Sequence, residues 1–242
     1  MVSRSPSRAA DAPLITCEHG GNEVPAPYRA LLAGLHEARQ THRGYDLGAL
    51  LFARELAAAL QAPLVASTVT RLLVDLNRSV GHATLHADAV QAAPAALRER
   101  ILAEHYRPYR LQAETLIDAA VARSQRVVHI SSHSFTPVLG GEVRLCDVGL
   151  LYDPSRAGEV RLCALWKDAL AATDPSLRLR RNYPYRGKND GFTASLRRRH
   201  PASAYIGVEI EINQAIVLGP PARWATLRAT VIDSLRVAHA SL

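Results

Sequence analysis

Two rhythms of apolar positions divide the chain: short continuous runs, and longer stretches in which apolar residues recur every three to four positions. Residues 13–17 (PLITC) are a short apolar run that ends at the pair Gly20-Gly21, as a buried strand ends at a turn. Residues 25–35 and 47–60 have helical spacing, with Leu47, Leu50, Leu51 and Leu56 largely on one face. Residues 64–67 and 72–75 predict short strands, and residues 93–123, rich in Ala, Leu, Arg and Glu, predict one or two helices. Further strands are predicted at 126–131 (RVVHIS), 147–152 (DVGLLY) and 205–212 (YIGVEIEI), with helices over 155–172 and 221–240. Strands alternating with helices predict an α/β fold with a mixed, mostly parallel central sheet and helices on both faces. No repeat or low-complexity linker interrupts the pattern, so a single domain over 12–242 behind a flexible tail at 1–11 suffices. Ligands of such sheets sit outside the carboxyl ends of the strands, which makes polar residues at those ends the first candidates for chemistry.

Composition narrows the function classes. A hydrophobic content of 48% over 242 residues supplies a sizeable core and rules out a disordered chain. No apolar run approaches the ~20 residues needed to span a bilayer, and the two arginines near the N-terminus are not followed by the apolar stretch of a secretory signal. Three scattered cysteines, Cys17, Cys146 and Cys163, argue for a reducing compartment rather than a disulfide framework, and so for the cytoplasm. The net charge of +7 raises nucleic acid as a partner. The basic residues are dispersed, apart from short clusters at 178–181 and 197–199, and no aromatics interleave with them as a single-strand platform requires. Neither nucleic acid nor membrane is therefore expected as a partner; the arginines form a solvated face or draw in an anionic substrate. The oligomeric state stays open.

Six stretches carry candidate chemistry. Glu18-His19-Gly20-Gly21-Asn22-Glu23 follows the first strand, with glycines that permit a sharp turn and close approach to a ligand. Ser131-Ser132-His133-Ser134 follows another strand and brings a second histidine to the same sheet edge. Two imidazoles and a carboxylate make a three-ligand zinc site with one position open; the competing reading gives each histidine a purely structural hydrogen bond. Asp46 is either the N-cap of the next helix or the carboxylate ligand. In Arg71-Leu-Leu-Val-Asp75-Leu-Asn77-Arg78 the adjacent amide and guanidinium of Asn77 and Arg78 suit capture of a carboxylate, and Arg71 is a separate charge for a developing oxyanion. The alternative is a surface salt bridge between Asp75 and one of the arginines. Period-2 alternation puts Glu209 and Glu211 on one face of a strand between Val and Ile residues. On a central strand at least one of them needs a partner or a task, and Glu211 suits a general base; on an edge strand both would lie in solvent. Residues 182–192 (NYPYRGKNDGF) form a Gly-rich, basic loop that is either plain surface or a mobile substrate-binding segment, with Arg186 and Lys188 available for a second carboxylate.

In order along the chain, Cys-Glu-His-Gly-Gly-Asn (17–22), Tyr-Asp-Leu-Gly (45–48), Arg-Leu-Leu-Val-Asp-Leu-Asn-Arg (71–78), His-Ser-Phe-Thr-Pro (133–137) and Glu-Ile-Glu-Ile (209–212) resemble the N-formylglutamate amidohydrolase family. A more distant similarity is to zinc carboxypeptidases and to the aspartoacylase and succinylglutamate desuccinylase group. The resemblance implies a zinc-exopeptidase-like fold (phosphorylase/hydrolase-like) and a metal-dependent hydrolase, with zinc or another divalent metal, acting on a small carboxylated N-acyl amino acid. It also implies His19 and His133 as metal ligands, Asn77 and Arg78 at the substrate carboxylate, Arg71 at the oxyanion and Glu211 as the base. One departure matters. The carboxypeptidase-type motif has a glutamate three positions after its first histidine, where this chain has Asn22, so the carboxylate ligand comes from Asp46 or Glu23, with Asp46 favoured. The departure keeps a metal-free binding relative in view, beside a related zinc deacylase or carboxypeptidase acting on another acyl amino acid or short peptide.

Overall fold

The structure is a computed structural model that describes residues 11–242. Its six-stranded sheet has the order β2-β1-β3-β8-β6-β7. These strands are β1 (Ala12–Cys17), β2 (Leu64–Ala66), β3 (Val127–Phe135), β6 (Val148–Leu151), β7 (Leu179–Arg181) and β8 (Tyr205–Asn213), while β4 (Val138–Leu139) and β5 (Glu142–Val143) form a separate hairpin. β2, β1, β3 and β8 run parallel, and β6 is antiparallel to β8. The sheet is thus mixed and mostly parallel. The longer helices are α1 (Ala49–Leu60), α2 (Ala95–Ile101), α3 (Arg107–Ala122), α4 (Ala157–Thr173), α5 (Phe192–Arg199) and α6 (Pro221–Ala240). No helix among the described residues is long and apolar enough to cross a membrane.

Helices cover both faces of the sheet, and each face has its own core. On one side Ile15, Ile130 and Val208 pack with Phe52 of α1, Trp166 of α4 and Val231 of α6. On the other, Leu14, Val127 and Tyr205 pack with Tyr109 and Ile117 of α3 and Phe192 of α5. α2 runs into α3 through a π-helical turn at Leu102–Tyr106. Pro108, just beyond it, has no N–H to donate and its ring crowds the preceding turn, which the wider turn accommodates.

The structure departs from the sequence pattern in several places. Residues 25–35 form only two 3-10 turns, Ala26–Tyr28 and Ala33–Leu35, where Pro25, Pro27 and Gly34 work against a continuous helix. In α1 the buried side is Ala49, Phe52, Ala53, Leu56 and Ala57, whereas Leu51 is 45% exposed. The small alanines let the helix lie close to the sheet, so the largest apolar residues do not define its inner face. Residues 72–75 are buried but are not a strand; Asp75 N–H and Ala87 N–H bond with the carbonyls of Leu85 and Leu72, so a neighbouring loop takes the place of a sheet partner. β7 and the β4–β5 hairpin appear where no element is read from the pattern. Residues 1–10 of the expected tail lie outside the described residues; Asp11, its last residue, is ion-paired with Arg126.

Candidate active site

Two parallel strands and one turn deliver the candidate ligands. β1 ends at Cys17 and hands on to Glu18 and His19. The Gly20-Gly21 turn that follows is pressed against residues 67 and 68: a Cβ on Gly20 would lie 2.8 Å from the Ser67 carbonyl oxygen and one on Gly21 2.6 Å from that of Thr68. Its glycines are therefore required by backbone packing, not by approach to a ligand. β3 carries His133 near its carboxyl end. Asp46 precedes α1, and its N–H donates to the His19 carbonyl at 2.9 Å, which ties the two loops together. Its side chain does not cap the helix.

His19, Asp46 and His133 are all buried, and each places one donor atom within 4.8 Å of the other two. Asp46 Oδ2 lies 3.4 Å from His19 Nδ1 and 2.8 Å from His133 Nδ1. Tetrahedral zinc with ligands at ~2.0–2.1 Å holds its donors roughly 3.3 Å apart, which the His19 contact matches, while the His133 contact is a hydrogen bond about half an ångström shorter. The other nitrogen of each ring is already engaged by an acid. His19 Nε2 donates to Asp75 Oδ1 at 2.7 Å, and His133 Nε2 lies 3.1 Å from Glu18 Oε2. Such carboxylate–histidine pairs orient imidazoles at metal centres. Burial alone would raise the pKa of Asp46, but His19, His133 and Arg71 outweigh it and hold the carboxyl well below its usual range. The two acids behind the imidazoles are likewise kept ionised, Asp75 by Arg71 and His19, and Glu18 by His133, Ser131 and Thr16, in each case against burial. Burial pushes the other way at His133, yet Asp46 and Glu18 raise its pKa well above the usual value. The donor set therefore fits a divalent cation: two imidazoles and an ionised carboxylate with opposing charge already built around them. Glu23 is not part of it, being exposed and bonded to the Thr68 hydroxyl at 2.7 Å. Asn22 donates to Gln40, also away from the cluster.

These groups open into a cleft of about 480 Å³ that Arg71, Asn77, Arg78, Arg186, Glu209 and Glu211 also line. Arg71 donates through Nε and Nη2 to Asp75 at 3.2 and 2.7 Å and through Nη1 to Asp46 at 3.3 Å. The Arg71–Asp75 ion pair of the alternative reading exists, but Asp75 is 3% exposed, so the pair is part of the site's floor and not a surface bridge. Asn77 Oδ1 accepts from Phe192 N–H at 2.6 Å, which leaves its Nδ2 donors for the cleft. Arg78 uses one nitrogen on the Asp190 carbonyl at 2.6 Å. Lys188 is exposed and does not line the cleft, so of the two basic residues in the 182–192 loop only Arg186 reaches it. That loop is tied to its surroundings at several points. Asn182 Oδ1 accepts from the amides of Tyr152 and Gly187, Arg197 donates to the Gly187 carbonyl at 2.6 Å, and Asp190 accepts from Ser79 N–H at 2.9 Å.

β8 is a central strand, every residue of it buried, so Glu209 and Glu211 are not edge acids in solvent. Glu209 accepts from the Thr193 hydroxyl at 2.6 Å. Glu211 pairs in register with His133, and its Oε2 is buried without a hydrogen-bond partner. Burial, with Asp46 and Glu209 adding to it against His133 and Arg71, pushes Glu211 up to about 8. The two acids are thereby separated: one is committed to a neighbour and the other is free. Sequence reasoning missed the orienting roles of Glu18 and Asp75. The only available signal was that each sits in a motif already chosen for a neighbouring residue.

The family profile described as N-formylglutamate amidohydrolase matches residues 12–218. Among solved structures, a gene product of Agrobacterium tumefaciens is 27% identical, with a TM-score of 0.82 over 96% of this chain and 91% of that one. An N-formylglutamate amidohydrolase from Ralstonia eutropha is 20% identical, with a TM-score of 0.69 over 97% of this chain and 95% of that one, a likeness of fold. No curated protein matches the chain in sequence.

Proposed function

The chain belongs to the N-formylglutamate amidohydrolase family, and on that premise we propose that it is a metal-dependent amidohydrolase cleaving the acyl amide bond of a small carboxylated N-acyl amino acid, such as N-formylglutamate. The observation that carries this reading is the meeting of His19, Asp46 and His133 beside a free, buried Glu211 in one cleft. His19 and His133, through Nδ1, and the Asp46 carboxylate would hold a divalent metal, zinc by the chemistry of the donors. When bound there, the ion supplies Lewis acidity, polarising a carbonyl and making water more acidic.

The chain's own residues do the rest. Asn77 Nδ2 and the free nitrogens of Arg78 bind the α-carboxylate and set the amide carbon against the cluster, the positioning part of the rate enhancement. Arg186, on a loop fixed at several points, meets a second carboxylate. Glu211 Oε2 takes a proton from the attacking water and returns it to the leaving amine, so that one water yields a free acid and a free amine. Its pKa near 8 falls when positive charge enters the cluster, which brings it to the range useful for a base at neutral pH. Arg71, held by Asp75 and Asp46, stands where charge develops on the carbonyl oxygen.

The test is hydrolysis of formyl, acetyl and succinyl amino acids, followed by amine release. Chelation should abolish turnover and zinc should restore it. Glu211→Gln should lower turnover on the order of 10²-fold or more while the protein keeps its metal. Turnover untouched by Glu211→Gln removes Glu211 from the base role, and turnover untouched by chelation removes the metal.

A further inference from the structure

Behind the ligand cluster lies a second polar layer, fully enclosed, that the reaction outlined above does not touch. Thr16, Glu18, His129, Ser131 and Tyr205 are each no more than 1% exposed, and strand register sets them side by side on one face of the sheet. They form a chain. Tyr205 OH lies 2.6 Å from His129 Nδ1, and His129 Nε2 lies 2.8 Å from Thr16 Oγ1. Thr16, close by, helps to hold the Glu18 carboxyl ionised. Glu18 also accepts from Ser131 Oγ at 2.6 Å and from Tyr109 OH at 3.0 Å.

The polarity of this chain can be worked out from donor counts. Glu18 is a carboxylate and only accepts, and each hydroxyl owns a single hydrogen. Burial holds His129 neutral near neutral pH, with a pKa of about 4, so its two nitrogens divide one donor and one acceptor role between Thr16 and Tyr205. Ser131 spends its hydrogen on Glu18, so the 2.8 Å contact between Ser131 Oγ and His133 Nε2 requires the hydrogen to be on the imidazole. Glu18, 3.1 Å from that same nitrogen, requires the same thing. Asn77 Nδ2 stands 3.5 Å away, too far to compete. Two independent acceptors thus demand a hydrogen on His133 Nε2, and that leaves Nδ1, hydrogen-bonded to Asp46 at 2.8 Å, as the nitrogen that would exchange its proton for the cation.

We propose that Glu18 is the positioning residue of His133: with Ser131 it fixes an imidazole hydrogen on Nε2, dedicates Nδ1 to the cation, and is itself held in place by the Ser131 and Tyr109 hydroxyls. The assignment rests on His133 being a ligand, and it adds a requirement on residues that touch neither metal nor substrate. Because Glu18 follows β1 while its imidazole is on β3, the contact also couples the ligand on β3 to the loop that carries the other histidine.

The test uses the full chain with zinc as the probe. Zinc affinity is measured by competition with a chromophoric chelator, and the histidine tautomers by nitrogen NMR of protein labelled in its imidazoles. Glu18→Gln brings an NH2 to a point where three donors converge, so zinc should bind roughly tenfold more weakly or worse. The His133 signal should lose its single Nε2–H form while His19 keeps its own. Tyr109→Phe, which removes one hydroxyl donor to Glu18 and keeps the ring, should shift His133 in the same direction with a smaller loss, about two- to fivefold. It also decides the matter if Glu18→Gln does not fold. Wild-type zinc affinity and an unchanged His133 tautomer in folded Glu18→Gln, or in Tyr109→Phe where only that variant folds, overturn the proposal. His133→Ala separates the levels: its loss of zinc binding in that case leaves His133 a ligand and dismisses only Glu18, whereas wild-type binding in His133→Ala overturns the ligand reading and this assignment together.

Discussion

β3 and β8 present two different molecules on their two faces. On one face, Val128, Ile130, Ile206, Val208 and Ile210 join the core beneath α1, α4 and α6. On the other, one residue along each time, Ser131 and His133 meet Glu209 and Glu211 across the strands, with His129 opposite Gly207. Burial is equally complete on both sides, since every residue of the two strands is buried. Exposure therefore does not distinguish the site from the core. What differs is whether a buried side chain is satisfied by contact alone or must find a partner of opposite character, and on the polar face nearly every group has one. Glu211 Oε2 is the exception. A buried oxygen without a partner is costly to keep, and its place beside the candidate metal group makes chemistry the reason to keep it.

Substitutions on the two faces should separate stability from activity. The largest effect is expected from Ile210→Ala on the apolar face, about 2–5 kcal/mol of stability lost to the cavity, read by denaturant unfolding. The folded fraction should keep its specific activity within about threefold, since only the far face changes. The neighbouring Glu211→Gln should do the reverse: the 10²-fold fall in turnover is equivalent to about 2.7 kcal/mol in the barrier, while stability should hold or rise, because a buried oxygen without a partner is replaced by a neutral amide. Matching losses of stability and activity in both variants would erase the distinction between the faces.

A smaller effect concerns pH. His129 has its pKa depressed to about 4 by burial, with Arg197 and His133 adding to this against Glu18. Between that value and the ~6.5 of a free histidine, the unfolded chain binds a proton that the folded one does not. The stability this neutral imidazole contributes is thus fully present above about pH 6.5 and lost as pH falls toward 4, at up to about 1.4 kcal/mol per pH unit. His129→Gln lowers stability at every pH but should remove this part of the slope. An unchanged slope in the variant would mean that the ring is charged in the fold. The smallest effect is at the mouth of the cleft: Arg186→Ala should raise KM for a dicarboxylate substrate roughly tenfold, equivalent to about 1.4 kcal/mol, and Lys188→Ala less than twofold, measured by initial rates.

Much of this was legible in the sequence, because local pattern reports local structure. The strand at 205–212 and the helix at 221–240 fall where their periodicity puts them. The candidate ligands were legible by residue type, as polar groups placed at strand ends. What was hidden depends on partners distant in sequence. β7 carries arginines at 180 and 181 and reads as a loop until β6 pairs with it. Residues 72–75 have the apolar content of a strand, but their amides find a loop instead of a sheet neighbour. Glu18 is the clearest instance. It stands beside His19 in the sequence, but residues along an extended chain alternate sides, so Glu18 reaches His133 on the next strand while His19 turns to Asp75.

The most direct test is the zinc affinity of four alanine variants, at His19, Asp46, His133 and Glu23, against that of the parent chain. One ion per chain is expected in the parent, with affinity falling by about 100-fold or more when any of the first three is removed and by less than twofold for Glu23→Ala. Undiminished zinc binding after loss of His19 or His133, or a loss confined to Glu23→Ala, would contradict the convergence of the three donors on one cation.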